Sequence, residues 1–225
     1  MNPEQPSLWN HFTWRHPEWW LFALSLLAWA TFTLPLNPTH RHNHTAAYGT
    51  SLGIETFRWM IMVVAMMLPL AADSARDVAA RSLWARRQHA ITGFVLGYLS
   101  VWLIAGIAIS LVISLLKSHA WLDPRIAIGV SFCIAVAWHC TPLKKRALFS
   151  CHRTMPIAPN GWRANLDCIQ YGWMIGGSCL LNCWAWMALC VLMGHSLGVM
   201  LLASFVTVAE RYPLRRIKGT VFVSP

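Results

Sequence analysis

Long apolar runs alternate with short polar gaps along this chain. Six runs stand out, about Trp19 to Leu36, Gly53 to Ala72, Ala90 to Leu116, Ile126 to Cys140, Ile169 to Met193 and Ser196 to Val208. A helix rising about 1.5 Å per residue needs roughly 20 apolar residues to cross a hydrocarbon core about 30 Å thick. Most of the runs reach that length, and the fourth and sixth are short. No Asp, Glu, Lys or Arg occurs from Cys168 through Ala209, and a single helix over that stretch would measure about 60 Å, twice the core. A tight hairpin at Gly194-His195-Ser196 resolves the excess by making two spans. The pattern therefore predicts an all-α integral membrane protein, a six-helix transmembrane bundle in one domain covering residues 1–225. A polar loop at 141–167 and a basic tail at 209–225 complete it.

Charge fixes the expected orientation. Of the 18 Lys and Arg residues, fourteen fall in alternate gaps: Arg15; Arg76, Arg81, Arg86 and Arg87; Lys144, Lys145, Arg146, Arg153 and Arg163; Arg211, Arg215, Arg216 and Lys218. Arg41, Lys117 and Arg125 lie in the opposite gaps and Arg58 lies within a run. Basic loops stay cytoplasmic, so both termini are expected inside. The first run lacks a small-x-small cleavage site and follows a polar and aromatic stretch, so it reads as an anchor and not a signal peptide. Trp9, Trp14, Trp19 and Trp20 suit the headgroup level at its start.

Composition narrows the chemistry. The 225 residues are 56% hydrophobic and 12% charged, with a net charge of +10. No stripe of Lys and Arg interleaved with exposed aromatics suggests nucleic acid. The lipid bilayer, with anionic headgroups on its cytoplasmic face, is the plainer partner. All seven cysteines lie in runs or in cytoplasmic gaps, which argues for thiols and against a disulfide framework. Gly93/Gly97, Gly172/Gly176 and Gly194/Gly198 are small-xxx-small motifs that favour close helix packing. No nucleophile elbow, phosphate loop, HExxH or paired-acid motif gives a hydrolase or phosphotransferase a foothold, so no enzymatic role is expected.

Sulfur is where chemistry can sit. At about 100° per residue, Cys179, Cys183, Met187 and Cys190 fall within about 80° on one face of the fifth span, and Cys168 joins them if the helix reaches back that far. Soft sulfur donors select Cu(I) and, for thiolates, zinc, although Cys and Met also serve as ordinary packing residues. Met62 and Met66 stand one turn apart on the second span, ahead of Pro69, which frees a carbonyl and kinks a helix. His40, His42 and His44 alternate in the first outer gap and suit copper, zinc or nickel as a capture loop. At the cytoplasmic mouth, His139, Cys140, Cys151, His152 and Cys168 gather around the ends of two spans without a CxxC pattern. Glu55 and Arg58 read as an i,i+3 ion pair near a helix start.

Several of these segments together resemble a known family. They are Trp59 to Pro69 with Ala-Met-Met-Leu-Pro, Thr141-Pro142-Leu143-Lys144 followed by Cys151, the Cys179-x-x-x-Cys183-Trp184 core with Met187, and Glu210 after the last run. In combination they are similar to the uncharacterised family of predicted metal-binding integral membrane proteins of bacteria. The resemblance implies a polytopic protein of the bacterial inner (plasma) membrane with a metal site near its Cys-rich elements, and it makes Cys151, Cys179 and Cys183 the leading ligands. The chain departs from that pattern at Ala147 and Asn182, where the family carries cysteines. Two roles follow as expectations. One is binding, delivery or transport of a soft metal ion, copper first and zinc second. The alternative is an accessory or assembly subunit of a larger membrane metalloenzyme, with that complex's other subunits as partners. An alternating-access carrier fits less well, since the two halves show no internal repeat and no charged pair at the midplane.

Overall fold

The computed structural model describes residues 16–33, 52–118, 124–151, 154–156, 158 and 161–221. Among them every regular element is helical. The order is α1 (Trp19–Thr33), α2 (Leu52–Arg81), a short 3-10 turn (Trp84–Arg86), α3 (Arg87–Ser118), α4 (Pro124–His139), α5 (Pro142–Ser150), α6 (Trp162–Leu192) and α7 (Leu197–Val221). Each predicted apolar run contains a helix, with shifted ends. α2 runs on through the basic gap to Arg81, and the polar stretch 141–167 contains α5 and the first turns of α6. Three helical segments, Leu52–Arg81, Trp84–Val112 and Trp162–Leu192, are long and apolar enough to cross a membrane. A fourth crossing results if α4 and α5, bent by 70° at their junction, count as one broken span. α1 is apolar but has only 15 residues.

Local sequence explains the breaks. Thr141 caps α5 by accepting from the Lys144 amide, and Pro142 occupies the first turn, where its missing N–H costs nothing. α6 ends at a turn in which the His195 amide reaches back to the Cys190 carbonyl at 2.8 Å. Both Gly194 and His195 take positive φ there, 65° and 58°, so the predicted hairpin at 194–196 is present as a tight turn. Glycine accepts that conformation freely and histidine does so at some cost.

α3 and α6 form the central seam. A Cβ placed on Gly97 would strike the Ile169 carbonyl, and one on Gly172 would strike the Phe94 carbonyl. Two of the predicted glycine motifs thus face each other and bring the backbones together. The third does not act this way, because Gly194 and Gly198 border open space. Trp173 on α6 adds a hydrogen bond to the Ser100 hydroxyl of α3 at 2.7 Å.

α2 docks α1 through the expected proline effect. Pro69 cannot donate to the Ala65 carbonyl, and that oxygen instead accepts from the Ser25 hydroxyl at 2.7 Å and the Trp29 indole at 3.0 Å. At the basic end, buried Glu18 is held by Arg76, whose Nε donates to it at 2.7 Å. Trp138 of α4 reaches the Leu181 carbonyl of α6 at 3.0 Å and meets Trp184 edge-on. Outward-facing positions are strongly apolar, among them Leu26, Ile104, Leu181 and Phe205. An apolar exterior of this extent suits lipid better than water.

Candidate metal centre

The densest chemistry lies on the inner face of α6, about halfway along the helix. Cys179 and Cys183 stand one turn apart and are both fully buried. Their sulfurs lie within electrostatic reach of each other. Two donors converge on the Cys179 sulfur. Arg211 Nη2 on α7 donates to Cys179 Sγ at 3.2 Å, and the Tyr98 hydroxyl on α3 lies 3.2 Å from it. That hydroxyl is also 3.4 Å from the Met67 carbonyl, and its single proton serves one acceptor at a time. A sulfur that collects a cation and a hydroxyl donor is in surroundings that favour a thiolate.

A third thiol comes from a different element. Cys151, at the end of α5, is buried and faces both Cys179 and Arg211. Beyond the helix end, burial pushes its thiol up to about 12, with Cys179 adding to the effect. The three ligand candidates implied by the family resemblance are all buried, with Cys151 in electrostatic reach of Cys179, but they do not form a cage. Among the described residues no three His, Cys, Asp or Glu side chains form a group that could hold a metal ion. The Arg211 guanidinium stands against both Cys179 and Cys151 instead, anchored on its far side by a 2.8 Å bond from Nη1 to the Leu70 carbonyl.

The remaining sulfur candidates are more dispersed than the helical stripe suggests. Met187, one turn beyond Cys183, is buried, as are Met62 and Met66 on α2. Cys168 and Cys190 share the stripe and are buried, but at 1.5 Å per residue they stand about 16 Å from Cys179 and about 10 Å from Cys183 along the helix. Cys168 packs beside Gly93. The mouth cluster divides: Cys151 joins the α6 pair, Cys140 is exposed, and His139 belongs to an ion network. In that network His139 Nε2 lies 2.6 Å from Glu210 Oε1, and Lys144 Nζ lies 2.7 Å from the same oxygen and 2.6 Å from His139 Nδ1. Lys144 is only 4% exposed, so the network ties α7 to the start of α5. His152, His40, His42 and His44 lie outside the described residues.

Sequence reasoning missed Tyr98, Arg211 and the burial of Lys144. Arg211 and Lys144 sit in basic runs that read as solvated charge, and nothing in the spacing connects either to α6. Asn182, where the family pattern has a cysteine, is buried with its amide 3.5 Å from Cys183 Sγ, and Ala147 lies one turn before Cys151. Both departures thus fall on the rim of the thiol cluster. The seven cysteines are all free.

At the opposite end, His195 stacks on Phe32 with ring centroids 6.2 Å apart. Burial pushes its imidazole down to about 4, against a smaller upward pull from Glu55.

No curated protein and no solved structure matches the chain. A family model does: that of PpoB2, a copper chaperone, covers residues 56–223, which takes in all of α3 to α7 and nearly all of α2. With three buried thiols gathered from α5 and α6 inside the matched region, the chain belongs to the PpoB2 copper chaperone family.

Proposed function

We propose that this protein is a non-catalytic, polytopic membrane copper carrier that receives Cu(I) on Cys179 and Cys183, with Cys151 as third donor, and hands it to a recipient. Copper is the cargo in this reading. What supports it is the buried pair Cys179 and Cys183, one turn apart on α6, with buried Cys151 from the end of α5 in electrostatic reach of Cys179. Soft thiolates suit Cu(I). Met187, Met62 and Met66 extend the sulfur-lined interior as weaker thioether donors along the cargo's route.

In the same proposal the bundle has six spans and lies in the bacterial inner membrane with both termini in the cytoplasm. The asymmetry of Lys and Arg supports that orientation. Metal analysis of full-length protein purified from copper-supplied cells tests the reading. The expected result is copper near one equivalent per chain, falling by at least about tenfold in the Cys179→Ser/Cys183→Ser variant and less in Cys151→Ser. Wild-type protein without copper, or copper content untouched by the double substitution, would remove it.

A further inference from the structure

Arg211 carries a permanent charge in a place where charge is hard to keep. Its Nη1 donates to the Leu70 carbonyl at 2.8 Å, its Nη2 to Cys179 Sγ at 3.2 Å, and the group also faces Cys151. Its Nε has no partner among the described residues. An apolar interior retains a guanidinium only against opposite charge. The adjacent carboxylate does not supply it, because Glu210 is engaged by Lys144 at 2.7 Å and His139 at 2.6 Å. The positive charge of Arg211 is therefore directed at the thiol cluster.

Such a charge sorts ions by valence. At a given sulfur it opposes a divalent ion twice as strongly as a monovalent one, since the Coulomb energy scales with the ion's charge. Sulfur softness alone does not make this distinction, because thiolates bind Cu(I) and zinc alike.

We infer that Arg211 is the specificity-determining residue of the site, making the Cys179–Cys183 pair selective for a soft monovalent cation over soft divalent ions. The inference rests on the copper reading above and adds what that reading leaves open, namely how zinc is kept out. The charge is also held in place. The Leu70 carbonyl fixes one edge of the guanidinium, and the Glu210 network fixes the preceding residue of α7 to α5.

Competition titrations on the detergent-purified full chain test it, with Cu(I) and Zn(II) each measured against a chelator. Arg211→Gln should narrow the Cu(I) to Zn(II) affinity ratio by about tenfold or more, while Arg211→Lys, which keeps the charge, should hold it within about threefold. A ratio unchanged in Arg211→Gln, with both affinities falling together, would reduce Arg211 to a structural role and overturn the inference. Should Arg211→Gln fail to fold, the wild-type chain decides: Ag(I) should displace Cu(I) and Cd(II) should not. Displacement by Cd(II) as readily as by Ag(I) overturns the proposal. Wild-type protein that takes up no Cu(I) defeats the copper reading itself, whereas uptake with an unshifted ratio defeats only the role of Arg211.

Discussion

The seam between α3 and α6 and the junction of α5 with α7 hold the same site by opposite means. At the seam, Gly97 and Gly172 let two backbones touch, so the fit depends on atoms that cannot rotate away. At the junction, Lys144, His139 and Glu210 tie α7 to α5 and the end of α4 through side chains that can. Cys179, Cys183 and Tyr98 ride on the seam, whereas Cys151 and Arg211 ride on the junction. The fixed half supplies the thiol pair, and the half tied by charges supplies the third sulfur and the cation. The proposed carrier, which would both hold and release its cargo, would gain from that division, since ion pairs open more readily than packed backbone.

The strongest way to break the comparison is to force the seam apart. Gly172→Leu should cost about 3 kcal/mol or more, because its Cβ meets a backbone carbonyl with no room to yield. Loss of monodisperse protein or a collapsed thermal midpoint in detergent would register it. Gly198→Ala, facing open space, should shift stability by no more than about 1 kcal/mol. Equal losses at the two glycines would mean that the seam has no special status.

An intermediate effect should follow at the junction. Glu210→Gln leaves the buried Lys144 without its carboxylate and should cost about 2 kcal/mol, discounted because His139 is partly exposed. Its more telling result should be local: alkylation of Cys151 quickens by about tenfold while Cys183 stays protected. Adding Lys144→Met should restore most of the stability. If Cys183 became reactive along with Cys151, the two halves would not be separable.

Near neutral pH the smallest effect belongs to His195. Its imidazole is held down to about 4 by burial, against an unfolded value of about 6.5. Above that unfolded value both states are neutral and the group contributes nothing. As pH falls from about 6.5 toward 4 the unfolded chain binds a proton that the folded turn refuses, so stability declines across that window and levels off below it. His195→Phe should flatten that part of the stability profile, as followed by thermal midpoint against pH. An unchanged slope would show that acid acts elsewhere.

Much of the scaffold was legible in the sequence because apolar length and period report directly on helices. The consequence of Pro69 was legible too, since a proline's missing donor leaves a carbonyl at a known position four residues back. The stripe on α6 was legible as an angular relation, and angle says nothing of the distance along the helix that separates Cys168 and Cys190 from the central pair. Cys151 came from the family resemblance and not from spacing, which offered only a loose mouth cluster. Arg211, Tyr98 and Lys144 stayed hidden for a common reason. Each acquires its role through a partner on another helix, and a basic run or an apolar stretch looks the same whether or not such a partner exists.

The bond between α1 and α2 has a consequence for how the chain is put into the bilayer. The Ala65 carbonyl, orphaned by Pro69, has no water to turn to in hydrocarbon, where an unmet acceptor is expensive. Ser25 and Trp29 are the groups that meet it. In the proposed six-span arrangement, insertion of the second helix would be completed only with the first beside it, and the two would enter as a hairpin closed on one oxygen atom.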